Sequence, residues 1–118
     1  MSSTFHARGI FEHIRRICER PQTFAPGFTL DHFHLFLAGY DSALGDAGIA
    51  GQCRRFDEWL YRQHPKWRQS PEWWAQHILH ANGENLDQTL AEILRLVDQF
   101  LATDGAEFNL PRPHPPET

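Results

Sequence analysis

At 118 residues the chain has room for about one ordinary domain and no second substantial core. Apolar residues make up 41% and aromatics 13%, with nine Phe and four Trp, so the composition of a disordered polymer is excluded. Eleven Lys and Arg against fifteen Asp and Glu give a formal net charge of -4, which excludes a generic phosphate-backbone binder because that role needs a basic surface. Nucleic acid is therefore not expected as a direct partner. Cys18 and Cys53 form no C-x-x-C pair, too little for a disulfide scaffold or a zinc site, and a reduced compartment fits them. The N-terminal stretch has no continuous apolar h-region, and no segment reaches the ~18 apolar residues of a membrane span. The expectation is a cytoplasmic protein without membrane contact.

In chain order, Ile10, Phe11, Ile14, Ile17 and Cys18 recur at the one, three and four spacing of a helix, which Pro21 ends. Ala25-Pro26-Gly27 reads as a loop, and Thr29 is placed to cap a second helix with the stripe Leu30, Phe33, Leu37, Tyr40 and Leu44, broken by Gly45 to Gly48. Ile49, Cys53, Phe56 and Leu60, with Trp59 on the flank, predict a third helix that cannot pass His64 because Pro65 disfavours helical geometry before it. Ser70-Pro71-Glu72 supplies a hydroxyl, an N1 proline and an acid for the start of a fourth helix through Trp73, Trp74, Ile78 and Leu79, closed by Asn82-Gly83. Asn85 and Gln88 resemble a capping box ahead of Leu86, Leu90, Ile93, Leu94, Val97 and Leu101, and Gly105 terminates this fifth helix. No run of alternating β-branched residues occurs.

The predicted architecture is all-α, a compact bundle of about five helices over residues 1–105, followed by an extended or disordered Pro-rich tail over residues 106–118. Its core is expected to hold Ile14, Ile17, Phe33, Leu37, Tyr40, Phe56, Leu60, Trp74, Ile78, Leu90, Ile93, Leu94 and Val97. Adjacent Trp73 and Trp74 point about 100° apart on a helix, so one of them is expected to stay partly exposed. Trp59, Tyr61 and Trp67, interleaved with Arg62, Lys66 and Arg68, read as cover for the core ahead of an interface hot spot.

No G-x-S-x-G, H-E-x-x-H, P-loop or G-x-G-x-x-G is present, and no catalytic residue or cofactor is expected. Cys18 and Cys53 lie on apolar stripes and read as small buried hydrophobes. Eight His raise a metal alternative, a small metal-binding helical enzyme or sensor. His77 and His80, three apart, could share an ion with a third ligand such as His64 or an acid. His32 and His34, two apart, diverge and read as the edge of the core. Charge is segregated as well. Arg54 to Arg68 is mainly basic, whereas Pro21 to Cys53 carries Asp31, Asp41 and Asp46, and Gln69 to Leu94 carries Glu72, Glu84, Asp87 and Glu92, with no Lys or Arg in either stretch. Such segments are either solvated helix faces or an anionic surface that steers a cationic partner.

Taken together, Arg20-Pro21 with Phe24, Leu30 through Phe33, Phe36-Leu37-Ala38-Gly39-Tyr40 with Ala43, Phe56-Asp57-Glu58-Trp59-Leu60, Trp74-Ala75-Gln76-His77-Ile78-Leu79 and Leu90 through Phe100-Leu101 follow a recognisable order. That order resembles a family of small bacterial immunity proteins encoded beside polymorphic toxins of the Rhs, contact-dependent and LXG types. The resemblance spans Phe11 to Ala102, although Pro21-Gln22-Thr23-Phe24 stands where the family pattern usually has Pro-Gly-Met-Tyr. It implies an all-helical, non-enzymatic inhibitor that binds one toxin domain and blocks its active site or substrate access. The family's motif residues are mostly apolar and explain the fold, and they assign no partner contact. Contacts are expected instead from charge: toxins acting on nucleic acids or nucleotides carry cationic active sites, so Asp31, Asp41, Asp46, Glu84 and Asp87 are the candidate partner-binding residues. A helical adaptor in a regulatory complex is the remaining alternative.

Overall fold

The computed structural model describes residues 9–48 and 52–105. Among these residues the chain forms helices α1 (Gly9–Glu19), α2 (Pro21–Phe24), α3 (Leu30–Asp46), α4 (Gln52–Gln63), α5 (Pro65–Arg68), α6 (Trp74–Ala81) and α7 (Leu86–Ala102), and no strand. The all-α expectation holds, and the number of helices is corrected from about five to seven among the described residues. The two additional helices have one cause. Pro21 and Pro65 each end one helix and then open a one-turn helix as its N1 residue, where the missing N–H would have had no partner and the fixed φ is already helical. Ile49 of the third predicted stripe and the predicted tail over 106–118 lie outside the described residues.

The start of α6 is also corrected. Its N-cap is Trp73, not Ser70. The Ser70 hydroxyl accepts from the Glu72 N–H at 3.0 Å, a bond that closes a local turn two residues long and uses up the capping oxygen before the helix begins. At the α6–α7 junction the end signals work as read, whereas α7 ends at Ala102 with Thr103 as its C-cap, ahead of the expected terminator Gly105. Asn85 Oδ1 accepts from the Gln88 N–H at 2.9 Å at the head of α7. At the tail of α6, Gly83 donates to His80 O (3.1 Å) and Glu84 to Leu79 O (2.9 Å), the paired bonds of a Schellman ending that requires left-handed backbone at Gly83 (φ +64°).

α7 lies along α1 and α6, while α4 touches α3, α6 and α7. Their meeting point is aromatic. Phe56 takes Trp74 edge-on at 5.3 Å and Phe100 at 5.4 Å, and Phe100 also packs on Phe11 (5.7 Å) and Trp59 (5.6 Å). The end of α7 is tied to α4 by Asp104, whose carbonyl accepts from Arg55 (2.7 Å) and whose carboxylate pairs with Arg62. Trp74 is fully buried and Trp73 half-buried, so one of the pair stays partly exposed as expected, although Trp73 has extended backbone as the N-cap and the helical 100° offset is not the cause. Of the predicted core, Tyr40 and Leu94 are only half-buried, and the rest are buried. On α7 the inward face runs through Leu90, Ile93, Leu96, Val97 and Phe100, which turns Leu94 to the edge. Ile93→Ala should therefore cost about 2–5 kcal/mol in a urea denaturation, and Leu94→Ala clearly less. Equal losses at the two positions would contradict this packing. Among the described residues no helix is long and apolar enough to cross a membrane.

Candidate partner-binding groove

Asp31 occupies the first turn of α3, a favourable place for a carboxylate because the helix dipole presents its positive end there. Its exposure follows from what surrounds it in sequence. Leu30 and Phe33 turn inward, and the Thr29 N–H ahead of the helix is taken by His32 Nδ1 at 3.0 Å. Glu84 reaches the same region from the Schellman turn, at φ +66°, a left-handed conformation uncommon for a residue with a Cβ. Asp31 and Glu84 line one groove of about 280 Å³ with Phe28, Leu30, Leu79 and Leu86. Two acidic residues from two separate base-free segments thus line one groove with an apolar floor. Asp87, exposed, follows Leu86 directly in the first turn of α7.

The remaining candidates are placed elsewhere. Asp46, exposed, ends α3, about 22 Å along the helix from Asp31 at 1.5 Å per residue. Asp41 is half-buried and faces α4, where the Cys53 backbone amide bonds its carboxylate while Oδ1 is buried without a hydrogen-bond partner. Burial raises its pKa, and the Cys53 amide holds the rise back. Ten residues along α3 from Asp31, about 15 Å at 1.5 Å per residue, Asp41 lies outside the groove's lining.

The sequence places Glu72 at the start of α6 and in an acidic segment, but does not pair it with His80. His80 lies between Glu84 Oε2 (2.5 Å from Nδ1) and Glu72 Oε2 (3.2 Å from Nε2), and these bonds raise its pKa above the ordinary 6.5. Because the folded value is raised, the pairing is fully present below pH 6.5 and is lost as pH climbs through the folded value. Above it, Glu72 and Glu84 stand unneutralised and the groove's rim is most acidic. An NMR titration should place the His80 midpoint above 6.5, and Glu84→Gln should move it down, since Glu84 is the largest cause of the rise. A His80 midpoint indifferent to Glu84→Gln would contradict the arrangement.

His77 shares none of His80's bonding partners. Its ring stacks on Trp67 at 5.3 Å, and His64 stacks on Trp67 at 3.8 Å. Among the described residues no group of three His, Cys, Asp or Glu side chains is placed to hold a metal ion. The helical spacing of His77 and His80 is real, but each ring is engaged by different neighbours.

A buried polar node lies beside Asp41. Asp57 accepts from Trp74 Nε1 at 2.6 Å, and the Cys53 thiol points to the same oxygen at 3.8 Å. Burial pushes the Asp57 pKa up to about 6, with the Asp41 charge adding to the rise and the Trp74 bond opposing it. Burial likewise raises the Cys53 thiol well above its usual value and the Cys18 thiol to about 12, so both stay protonated and behave as small apolar side chains. Comparison of the chain with protein-family models, with curated proteins and with solved structures gives no match.

Proposed function

We propose that the protein is an immunity protein that neutralises a cognate toxin domain by direct contact, with the Asp31–Glu84 groove receiving basic side chains of the toxin. The observation that supports this reading most is the convergence of Asp31 and Glu84 on one apolar-floored concavity with Asp87 adjoining it. A groove of this kind desolvates a long basic side chain along its stem while its head pairs with carboxylates, the arrangement in which charge complementarity contributes most to affinity. The ordered resemblance of Phe11 to Ala102 to toxin-immunity families supplies the partner class. The inhibitor occupies the place of an anionic substrate, which explains why acidic side chains do its work.

The test is co-expression with the toxin gene adjacent to the one encoding this chain. Protection of the cells and co-purification as a stable one-to-one complex are expected. Failure to protect, or an adjacent gene without toxicity, would refute the immunity reading.

A further inference from the structure

A second cavity, of about 480 Å³, opens between α1, α2 and α3. This size lies within the ~300–1,000 Å³ of small-molecule sites. Ile17, Phe24 and Phe36 supply its apolar wall. Phe24 is 39% exposed, yet it is not loose: Phe36 meets its ring at 5.4 Å and Phe28 at 5.9 Å, both edge-on. An exposed aromatic ring held by two others is a preformed apolar contact, which spares a ligand the cost of ordering it.

The polar lining is equally specific. Arg16 and Arg20 stand one turn apart, the Arg20 N–H bonding Arg16 O at 3.0 Å, and both line the cavity with Glu19. Arg15, Arg62, Arg68 and Arg95 each form an ion pair, with Asp98, Asp104, Glu58 and Glu92 respectively. Among the described residues Arg16 and Arg20 form none. Two guanidiniums against the one carboxylate of Glu19, with His13 and Thr23 completing the polar lining, leave a net positive charge of at least one beside an apolar wall. The complement of that lining is a ligand with an apolar body and one negative charge.

We propose that this cavity binds a small amphipathic monocarboxylate, its apolar body against Ile17, Phe24 and Phe36 and its carboxylate between Arg16 and Arg20. Guanidinium and carboxylate match as planar, bidentate partners, and a monoanion offsets that positive charge without leaving a negative excess. The site is separate from the acidic groove in residues and in sign of charge, so it stands whether or not a toxin is the protein partner.

Decanoate is a suitable probe, titrated into the intact protein by calorimetry and followed by backbone NMR. Saturable one-to-one binding is expected, with shifts centred on Phe24, Phe36 and the α1 end. Decanol and decylamine should bind at least about tenfold more weakly, and Arg16→Gln/Arg20→Gln should lose about tenfold or more in decanoate affinity while keeping the wild-type circular dichroism. Both arginines are exposed, so the double variant is expected to fold. Phe24→Ser provides a second variant that should weaken decanoate and decanol alike. Absence of saturable decanoate binding, equal affinity for decanol, an unaffected double variant, or association with anionic vesicles in place of the free acid would each overturn the proposal.

Discussion

Phe100→Ala should be among the most destabilising single substitutions in this chain, costing on the order of 3–5 kcal/mol. Phe100 is fully buried, and its ring touches Phe11 of α1 and both Phe56 and Trp59 of α4, so its removal opens a cavity where three helices meet. The surroundings have little freedom to close that cavity. Gly105 turns back against the ring so tightly that a Cβ there would lie 2.2 Å from it, and the Gly105 N–H bonds Phe100 O at 2.8 Å. A loss of this size is a large share of the ~5–15 kcal/mol that holds a small domain together. Denaturation in guanidinium, followed by near-ultraviolet circular dichroism of the Trp59 and Trp74 environment, should show an early, broadened transition. A cost below about 1 kcal/mol would contradict the aromatic junction.

Acidification should stabilise the fold through Asp57, against the usual trend for paired carboxylates. Its pKa is raised from 3.8 to about 6 by burial, so the folded state holds the proton more tightly than the unfolded chain does. Stability from this group therefore falls as pH rises through that window and is recovered as pH drops below it. A shift of this size corresponds to roughly 2–3 kcal/mol at most. Other acids titrate in the same window, so the informative quantity is the difference between wild type and Asp57→Asn. The amide oxygen of Asn can still accept from Trp74 Nε1 and carries no charge to desolvate. The variant should match wild type near pH 4 and exceed its stability above pH 6, by up to about 2–3 kcal/mol. Parallel pH profiles for the two proteins would show that Asp57 ionises without penalty and would contradict its buried setting.

The long helices were legible because a stripe such as Leu90, Ile93, Val97 repeats over several turns. The one-turn helices α2 and α5 were not, since four residues contain no period and Pro21 and Pro65 read first as stops. Ser70 misled for a related reason: a hydroxyl before Pro-Glu has the same chemistry in a turn as in a cap, and only the geometry chooses between them. An apolar stripe fixes a face only to about one residue on either side and neighbouring helices decide its edges, which is why Leu94 is half-buried and Trp59 buried, the reverse of what their stripes suggest. The candidate groove shows the same division. The acidity of Asp31, Glu84 and Asp87 was visible as segregated charge, whereas the meeting of Asp31 and Glu84 depends on α3 packing beside the α6–α7 turn. That same packing level seats Asp41 at the α3–α4 contact and recruits Glu72 to His80, and nothing in the local sequence of either residue announces it.

The most direct test of the proposed function is the affinity of the purified protein for the toxin domain, measured by calorimetry for wild type, Asp31→Lys/Glu84→Lys and Asp46→Lys. All three changed positions are exposed, and Asp46 lies at the far end of α3, so Asp46→Lys controls for a charge reversal outside the groove. Reversal of the two groove carboxylates places like charges against basic toxin groups and should weaken binding at least about a hundredfold, while Asp46→Lys should shift affinity by less than about threefold. Tight binding that survives the double reversal, or equal losses in the double variant and in Asp46→Lys, would contradict the groove as the site of toxin recognition.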